Sequence, residues 1–301
     1  MSDQAAALRR IVRSMRETRG TCETASIQPA GARVVTVTSG KGGVGKTNFS
    51  VNLALGLAQK GKKVLIIDAD FGFANVDLLL GATPEHDLSQ LISGERRVEE
   101  IMCSGPMGVK FVSGGSGVLD LQGIEERRLS CVVEALLELE RFADIIIFDT
   151  GAGISGNILR MVEASAEVVI VTTPEPTAIM DAYSLLKTVV LKDNTDTEMS
   201  LVINKAESRG EAERTMDRFS GIVRHYLGKN IRPIGYILND EAVIKAVKRQ
   251  APFILSFPKC EASDCMRNIV SEFLREERME KKPGLRSFFK NLLGSAAMGV
   301  Q

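Results

Sequence analysis

Two hydrophobic patterns alternate along most of the chain. Short runs rich in β-branched and other apolar residues, such as those within residues 33–38, 63–67 and 144–148, are typical of strands that are buried on both faces of a parallel sheet. Longer segments between them, such as residues 125–142, carry apolar residues at helical spacing. Because strands and helices alternate, the sequence predicts an α/β fold, with one mainly parallel twisted sheet and helices on both of its faces.

The N-terminal segment departs from this alternation. Residues 3–19 place leucine, isoleucine, valine and methionine on one side of a predicted helix and carry five arginines. Residues 21–31 contain the Gly, Ser, Thr and Pro that are typical of a flexible linker. A basic amphipathic helix of this kind can contact an acidic partner, a membrane or nucleic acid, or it can dock on its own domain.

The C-terminal segment shows a second amphipathic pattern. Pro283 and Gly284 end the helix predicted at residues 262–279. Apolar residues then recur at i, i+3, i+4, i+7 and i+8 among lysines and an arginine: Leu285, Phe288, Phe289, Leu292 and Leu293. Such a helix suits the plane of a membrane surface, and the alternative is packing on the domain or on a partner.

These patterns divide the chain into four parts. We predict an N-terminal helix at 1–19, a linker at 20–32, one domain at 33–280 and a C-terminal tail at 281–301. At 301 residues, the chain is long enough for one large α/β domain with a proper core.

Composition narrows the classes of function. The 38 Lys and Arg balance the 38 Asp and Glu, so we expect no specific DNA binding. No apolar run reaches membrane-spanning length and no signal-peptide core is visible, so we expect a cytoplasmic protein. Irregular spacing indicates free thiols rather than a metal site for the five cysteines, which are Cys22, Cys103, Cys131, Cys260 and Cys265.

The chemistry centres on residues 40–47, GKGGVGKT, which fit the phosphate-binding pattern G-x-x-x-x-G-K-[ST]. A predicted strand precedes the loop and a predicted helix follows it, as the pattern requires. Glycines allow several backbone N–H groups to point at one anion, and the helix N-terminus adds partial positive charge. We expect Lys46 to reach the β- and γ-phosphates of ATP, and the Thr47 hydroxyl to hold Mg²⁺.

Acidic residues follow two of the predicted strands. Asp68 and Asp70 end one strand, and Asp149 ends another in the manner of a Walker B motif. The carboxyl ends of parallel strands are where α/β sheets bind ligands. We expect Asp149 to hold Mg²⁺ through water. Asp68 could do the same or could form a turn.

The loop resembles, letter for letter, the deviant P-loop KGGVGKT of the MinD/ParA ATPases. In that family the early lysine, here Lys41, crosses a dimer interface to the partner's nucleotide, so the resemblance implies an ATP-dependent sandwich dimer. Residues 71–77 resemble the first switch of the MinD-like group, and by that match Asp70 positions the attacking water. Residues 151–153, Gly-Ala-Gly, can move their backbone toward a γ-phosphate as a second switch does. Asn204 would contact the adenine, although it could instead be a turn residue. Lys41, Lys46 and Asp70 are the predicted catalytic residues. The nucleotide-binding residues are Gly40, Lys41, Gly42, Gly43, Val44, Gly45, Lys46, Thr47, Asn48 and Asn204.

Residues 3–9, DQAAALR, match the D-Q-A-x-x-L-R activator motif of the FlhG/FleN/YlxH branch of these ATPases. That resemblance implies regulation of flagellar number and placement, membrane targeting by the tail, and stimulation of the GTPase FlhF. The predicted partner-binding residues are Asp3, Gln4, Ala5, Leu8 and Arg9. Flagellar switch or C-ring proteins (FliM/FliN), or a flagellar transcription regulator, are further implied partners.

The resemblance leads us to expect slow, Mg²⁺-dependent ATP hydrolysis by a protein that cycles between a cytosolic monomer and a dimer on an anionic membrane. Two alternatives remain. A ParA-type DNA partition ATPase would need a basic surface, which the neutral composition does not favour. An iron–sulfur carrier ATPase would need a cysteine spacing other than that of Cys260 and Cys265.

Overall fold

The computed structural model describes residues 31–70, 75–114, 133–192, 197–276 and 284–298. The predicted activator residues 3–9 and residues 71–74 of the predicted first switch lie outside the described residues. The side chain of Leu293 does so too.

Eight strands form one sheet: β1 Arg33–Ser39, β2 Val64–Ala69, β3 Cys103–Ser104, β4 Lys110–Val112, β5 Ile145–Ala152, β6 Glu167–Thr172, β7 Glu198–Ala206 and β8 Arg232–Leu238. Their order across the sheet is β3-β4-β2-β5-β1-β6-β7-β8. Every neighbouring pair is parallel except β3 and β4. The predicted fold class is therefore confirmed.

The helices mostly connect consecutive strands. Those in the described residues are α1 Lys46–Gln59, α2 Val76–Leu80, α3 Leu88–Ser93, α4 Val98–Ile101, α5 133–137, α6 Gly156–Ala164, α7 Pro176–Lys192, α8 Arg209–Leu227, α9 Glu241–Lys248, α10 Phe253–Ser256, α11 Glu261–Glu276 and α12 Leu285–Met298. A short 3₁₀ turn, Glu138–Arg141, continues α5.

Helices cover both faces of the sheet. Along β1, Val35 and Val37 belong to the core under α1 and α11, whereas Val34 belongs to a separate core on the opposite face. This alternation follows from the two-residue period of a strand. Because both faces are buried, the carboxyl ends of the strands are left to form the site.

The antiparallel edge strand β3 was not predicted. Cys103 pairs with Phe111 and Ser104 with Lys110, across a turn in which Met107 has a φ of 57°. A strand of two residues is too short to produce a period in the sequence. Its pairing with β4 is what defines it.

The C-terminal helix packs on the domain. The predicted membrane-facing residues Leu285, Phe288, Phe289 and Leu292 are all buried in the same core as Val34. The Phe288 ring stacks on Phe148 of β5 with centroids 4.5 Å apart. The boundary predicted at residue 280 therefore does not separate α12 from the domain core.

The first described residue and the start of α12 meet at Glu140. The Leu285 backbone N–H donates to Glu140 Oε1 at 2.6 Å. A Cβ placed on Gly31 would lie 3.3 Å from the same oxygen and one on Gly284 would lie 2.8 Å from it, so both glycines pack closely against this carboxylate. Residue 31 and the start of α12 thus lie at one point of the domain.

Candidate nucleotide-binding site

The glycine loop joins β1 to α1 at the centre of the sheet. Gly43 and Gly45 have φ values of 77° and 91°, a left-handed conformation that favours glycine. A Cβ on Gly45 would also lie 2.3 Å from Asn204 Nδ2. A Cβ on Gly40 would lie within 2.4 Å of the backbone of α7 at Asp181 and Ala182. Glycine is therefore required at residues 40 and 45 by close packing.

The open side of the loop forms a cradle suited to phosphate. A Cβ on Gly42 or Gly43 would meet no atom within 4 Å. Helix α1 begins without a side-chain cap and without an acidic residue in its first turn, so its N-terminal N–H groups face no competing acceptor from the described side chains. The Lys46 side chain at this end is buried. The arrangement suits the phosphates of a nucleotide.

One cavity of about 720 Å³ collects nearly all of the predicted nucleotide-binding residues. Its lining includes Lys41 to Asn48, Asp70 and Asn204, together with apolar residues of α9. Gly40 lies outside the lining because it packs against α7.

Two residues near the carboxyl end of β7 hydrogen-bond to the backbone of the loop. Asn204 Nδ2 donates to the Val44 carbonyl at 2.7 Å, and Lys205 Nζ donates to the Gly43 carbonyl at 2.7 Å. The Lys205 N–H donates to Asn204 Oδ1 at 2.9 Å. The adenine contact of Asn204 stays a prediction, since both of its polar groups bind protein here. Lys205 was not predicted, because its role depends on a contact between residues far apart in sequence.

Asp149 lies buried beneath the loop. Its Oδ1 accepts a hydrogen bond from Ser50 Oγ at 2.8 Å, and the Thr47 side chain also bonds to the carboxylate. Asp149 Oδ2 is buried and has no hydrogen-bond partner among the described residues. Burial raises the pKa of Asp149, while the charge of Lys46 opposes the rise. An unpartnered buried oxygen beside Thr47 fits a water molecule on Mg²⁺. Ser50 was not predicted.

Asp68 holds the start of the first switch. It lies beside Asp149 in the register of β2 and β5. Its Oδ1 accepts the N–H of Asp70 at 3.0 Å, and its Oδ2 accepts those of Asn75 and Val76 at 3.0 and 3.2 Å. Burial and the charge of Asp149 raise the pKa of Asp68 to about 6, against the effect of these hydrogen bonds. These hydrogen bonds stabilise a backbone turn after β2, and the metal role of Asp68 stays a prediction.

Asp70 and the second switch lie together. A Cβ on Gly151 would be 3.1 Å from Asp70 Oδ1, and Asp70 lines the nucleotide cavity. The Gly153 N–H donates to the Ser39 carbonyl at 2.9 Å, which ties the second switch to the base of the loop. The structure thus brings Asp70 to the cavity, as its predicted role requires.

Lys41 is oriented unlike Lys46. Its Nζ binds Glu175 Oε2 at 3.1 Å and Thr177 Oγ1 at 2.9 Å, at the start of α7. Its side chain remains 38% exposed, and the Glu175 side chain is 64% exposed. Lys41 therefore makes its contacts at the protein surface, whereas Lys46 is buried.

Two features of the described residues limit other interpretations of the site. Among the described residues, no group of three or more His, Cys, Asp or Glu side chains is arranged to hold a metal ion. A P-loop Mg²⁺ site does not need such a group, since one hydroxyl, waters and phosphates complete it. In the same part of the chain, no helix combines the length and hydrophobicity needed to cross a bilayer.

Comparisons with known proteins agree with this geometry. The ParA family model, described as NUBPL iron-transfer P-loop NTPase, matches residues 31–274. The antiactivator FleN of Pseudomonas aeruginosa is 37% identical over 231 residues, which cover 77% of this chain and 82% of FleN. The flagellum site-determining protein YlxH of Helicobacter pylori is 33% identical over 269 residues, which cover 87% of this chain and 90% of YlxH.

Solved structures share the fold. The cell division ATPase MinD of Pyrococcus furiosus gives a TM-score of 0.66 at 24% identity, covering 81% of this chain and 99% of that one. MinD of Pyrococcus horikoshii, complexed with Mg-ADP, gives 0.65 at 21% identity, covering 83% and 99%. The family match and the identity to FleN and YlxH show that the chain belongs to the FlhG/FleN branch of the MinD/ParA family of P-loop ATPases.

Proposed function

We propose that this protein regulates flagellar number and placement as an ATPase that dimerises with ATP. In this proposal it cycles between a cytosolic monomer and a membrane-bound dimer, and its N-terminal helix stimulates the GTPase FlhF. The name of its relative YlxH, a flagellum site-determining protein, supports the flagellar role. The orientation of the Lys41 side chain is the main observation that supports the proposed dimer.

Lys41 extends away from its own phosphate cradle. Its ammonium group lies on exposed Glu175 and Thr177, not in the loop that Lys46 serves. An exposed ion pair of this kind contributes only about 0–1 kcal/mol, so a stronger acceptor can displace Glu175. The phosphates of a nucleotide bound to a second copy would be such an acceptor.

Exposed apolar residues lie near Lys41. Met180 is 60% exposed and lies one turn beyond Thr177 on α7, and Ile154 is 44% exposed and follows Gly153 of the second switch. A charged side chain with apolar neighbours suits an interface that forms and dissociates. These residues support a dimer face that includes the nucleotide site.

Hydrolysis would depend on the positioning of charge. Lys46 would neutralise phosphate charge from within the subunit, and Lys41 would do so across the interface. Thr47 and Asp149 would hold Mg²⁺, Asp149 through water on its free Oδ2. Bound Mg²⁺ would supply charge neutralisation at the phosphate oxygens. Asp70 would orient the attacking water.

The docked helix α12 supports a membrane cycle. Its buried face is the one that a membrane would bind, so docking and membrane binding exclude each other. Exposing each of its four large side chains would cost up to about 1.5–3 kcal/mol, which lipid contact would offset. Phe288 stacks on Phe148, next to Asp149, and α12 packs on α6, which follows the second switch. Nucleotide binding could thereby loosen the helix.

ATP-dependent mass measurement in solution tests the dimer. Asp70→Ala should bind ATP and accumulate as a dimer, and Lys41→Ala should bind ATP but stay monomeric. Lys187→Ala, which alters an exposed lysine on α7, is the matched control and should dimerise normally. A full ATP-dependent dimer of Lys41→Ala would contradict the cross-subunit role.

Liposome sedimentation with anionic lipid tests the membrane cycle. Binding should require ATP, increase in Asp70→Ala and disappear in the double variant Phe288→Glu/Phe289→Glu. Because that variant alters the docked face, Lys290→Glu provides a second probe. Lys290 is exposed on α12, so its variant should fold normally and bind anionic lipid more weakly. Equal binding in ADP and ATP would contradict the coupling.

Nucleotide turnover by FlhF tests the N-terminal helix. A synthetic peptide of residues 1–20 should raise GTP turnover by itself, and the same peptide with Gln4→Ala should not. Unchanged turnover at saturating peptide would remove this function.

A further inference from the structure

A groove of about 560 Å³ lies between helix α5 and the pair α3 and α4. It shares no lining residue with the nucleotide cavity. Its apolar lining residues are Leu91, Ile92, Val98 and Ala135. The remaining lining residues are mostly polar or charged, so the groove suits an amphipathic helix that places a few aliphatic side chains on these four residues.

The rim of this groove carries three acidic side chains. Glu99, Glu134 and Glu138 line it, and none of them makes an ion pair or hydrogen bond within the part of the chain that the structure describes. Arg96 and Arg97 also line the groove, and Arg96 is paired with Glu100 at 3.3 Å, so the three glutamates leave the rim with net negative charge. The occupant that fits best therefore combines aliphatic side chains with positive charges.

The chain itself contains such a segment. Residues 3–19 place Leu8, Ile11, Val12 and Met15 at helical spacing and carry five arginines. Residues 20–30 connect this segment to Gly31, which packs against Glu140. Glu140 lies in the 3₁₀ turn that continues α5, only two residues after Glu138. Eleven linker residues can span up to roughly 35–40 Å, so the groove is well within reach.

We propose that residues 3–19 dock in this groove, and that docking withholds them from the GTPase. The withholding rests on the function proposed above, whereas the docking does not. A short tether gives the segment an effective concentration in the millimolar range, so even weak contacts can hold it. The exposed charge pairs weaken as salt rises. The N-terminal helix is then released by whatever competes for the groove or for the arginines.

Photo-cross-linking in the full chain tests the docking. Ile11 is replaced by p-benzoylphenylalanine, and the cross-linked peptides are identified by mass spectrometry. We expect cross-links to residues 91–98 and 133–138 within the same chain. Cross-links that avoid the groove, or that form only between copies, would overturn the proposal and leave the groove to another occupant.

Charge reversal supplies a matched comparison. Glu134→Lys/Glu138→Lys should lower the cross-link yield at least fivefold and speed trypsin cleavage after Arg10, Arg13 or Arg16 to a similar extent. Glu213→Lys/Asp217→Lys makes the same charge change at the same spacing on α8 and should do neither. ATP turnover should be unchanged in both, since neither pair lines the nucleotide cavity. Equal cross-linking in the groove variant and the control would overturn docking.

GTP turnover by FlhF separates withholding from docking. If the free peptide stimulates FlhF, full-length Glu134→Lys/Glu138→Lys should stimulate it more strongly than the parent chain. Stimulation equal to the parent would overturn withholding. A peptide without effect would instead refute the proposed stimulation, and withholding with it, while the cross-linking result would still decide whether the segment docks.

Discussion

The two ends of the sheet both contain buried acidic side chains, but these side chains differ in the partners that they contact. At the amino end, Glu167 accepts bonds from Arg33 Nε and Nη2 at 2.7 and 2.6 Å. Arg33 also donates to the Phe273 carbonyl at 3.0 Å and lies over its ring. At the carboxyl end, Asp149 keeps an unpartnered oxygen and Asp68 has a raised pKa. The amino end is satisfied within the protein, and the carboxyl end would be satisfied by metal and nucleotide.

The largest expected effect on stability comes from removing the buried ion pair at the amino end of the sheet. Arg33→Ala would leave the buried Glu167 carboxylate without its charge partner, at a cost of about 3–5 kcal/mol in the free energy of unfolding. Denaturant unfolding would measure the loss. The double variant Arg33→Met/Glu167→Leu should recover most of it, because apolar replacements of a buried pair are often tolerated. ATP affinity should be unchanged in every variant that folds, and a large loss of affinity would contradict the division of the two ends.

The next effect concerns Asp68 at the other end. Its pKa is about 6 when folded, against 3.8 when unfolded. Between these values the folded state binds more protons, so the free energy of unfolding should fall as pH rises from about 4 to 6. At about 1.4 kcal/mol per pKa unit, the full change is about 3 kcal/mol. Asp68→Asn should make this slope shallower in urea unfolding across that pH range, while Asp149, whose pKa is also raised, keeps its own contribution.

Asp240 provides a control of opposite sign. Burial by itself would raise its pKa, but the N–H groups of Ala242 and Ala262 donate to its carboxylate and the net pKa is lowered. Its stabilisation is therefore complete above the unfolded pKa and is lost as pH falls through the folded value. If Asp240→Asn and Asp68→Asn changed the slope in the same direction, this assignment of the two carboxylates would be wrong.

A smaller effect should separate two glycines of the cradle. Gly40→Ala brings a Cβ within 2.4 Å of the α7 backbone and should lower the free energy of unfolding by about 1–3 kcal/mol. Gly42→Ala meets no atom and should leave stability within about 0.5 kcal/mol, while its methyl group intrudes on bound phosphate and weakens ATP binding. Thermal unfolding and nucleotide titration of the two variants give the comparison. Equal stability losses would show that the close approach of Gly40 to α7 is absent.

The smallest expected effect on stability concerns the exposed ion pair between Lys41 and Glu175. Glu175→Gln removes an exposed ion pair with Lys41 and should change stability by less than about 1 kcal/mol. Because Lys41 is then freer to leave, ATP-dependent dimerisation should strengthen a few-fold. Glu213→Gln, which alters an exposed pair on α8, is the control and should not affect dimerisation. Weaker dimerisation of Glu175→Gln would mean that Glu175 positions Lys41 for the partner.

The sequence predicts the cradle well because its chemistry is local. Gly45, Lys46 and Thr47 are set by a strand, a loop and a helix that are contiguous in the chain. Ser50 and Lys205 could not be predicted, because each is defined by a contact across the fold. The stripe of α12 was predicted, but its docking on Phe148 was not decided, because an apolar face suits a protein core and a lipid surface equally.

Gly31 and the start of α12 both contact Glu140, and this has a geometric consequence for the proposed membrane cycle. If α12 turns onto lipid about Gly284 while Gly284 and Gly31 stay against Glu140, both glycines lie at the same membrane patch, and the first thirty residues are confined to a layer above it. Encounter with a partner that binds those residues then occurs by diffusion in two dimensions along the membrane instead of three dimensions in solution. Anchoring would therefore raise the encounter rate only for partners that share the membrane.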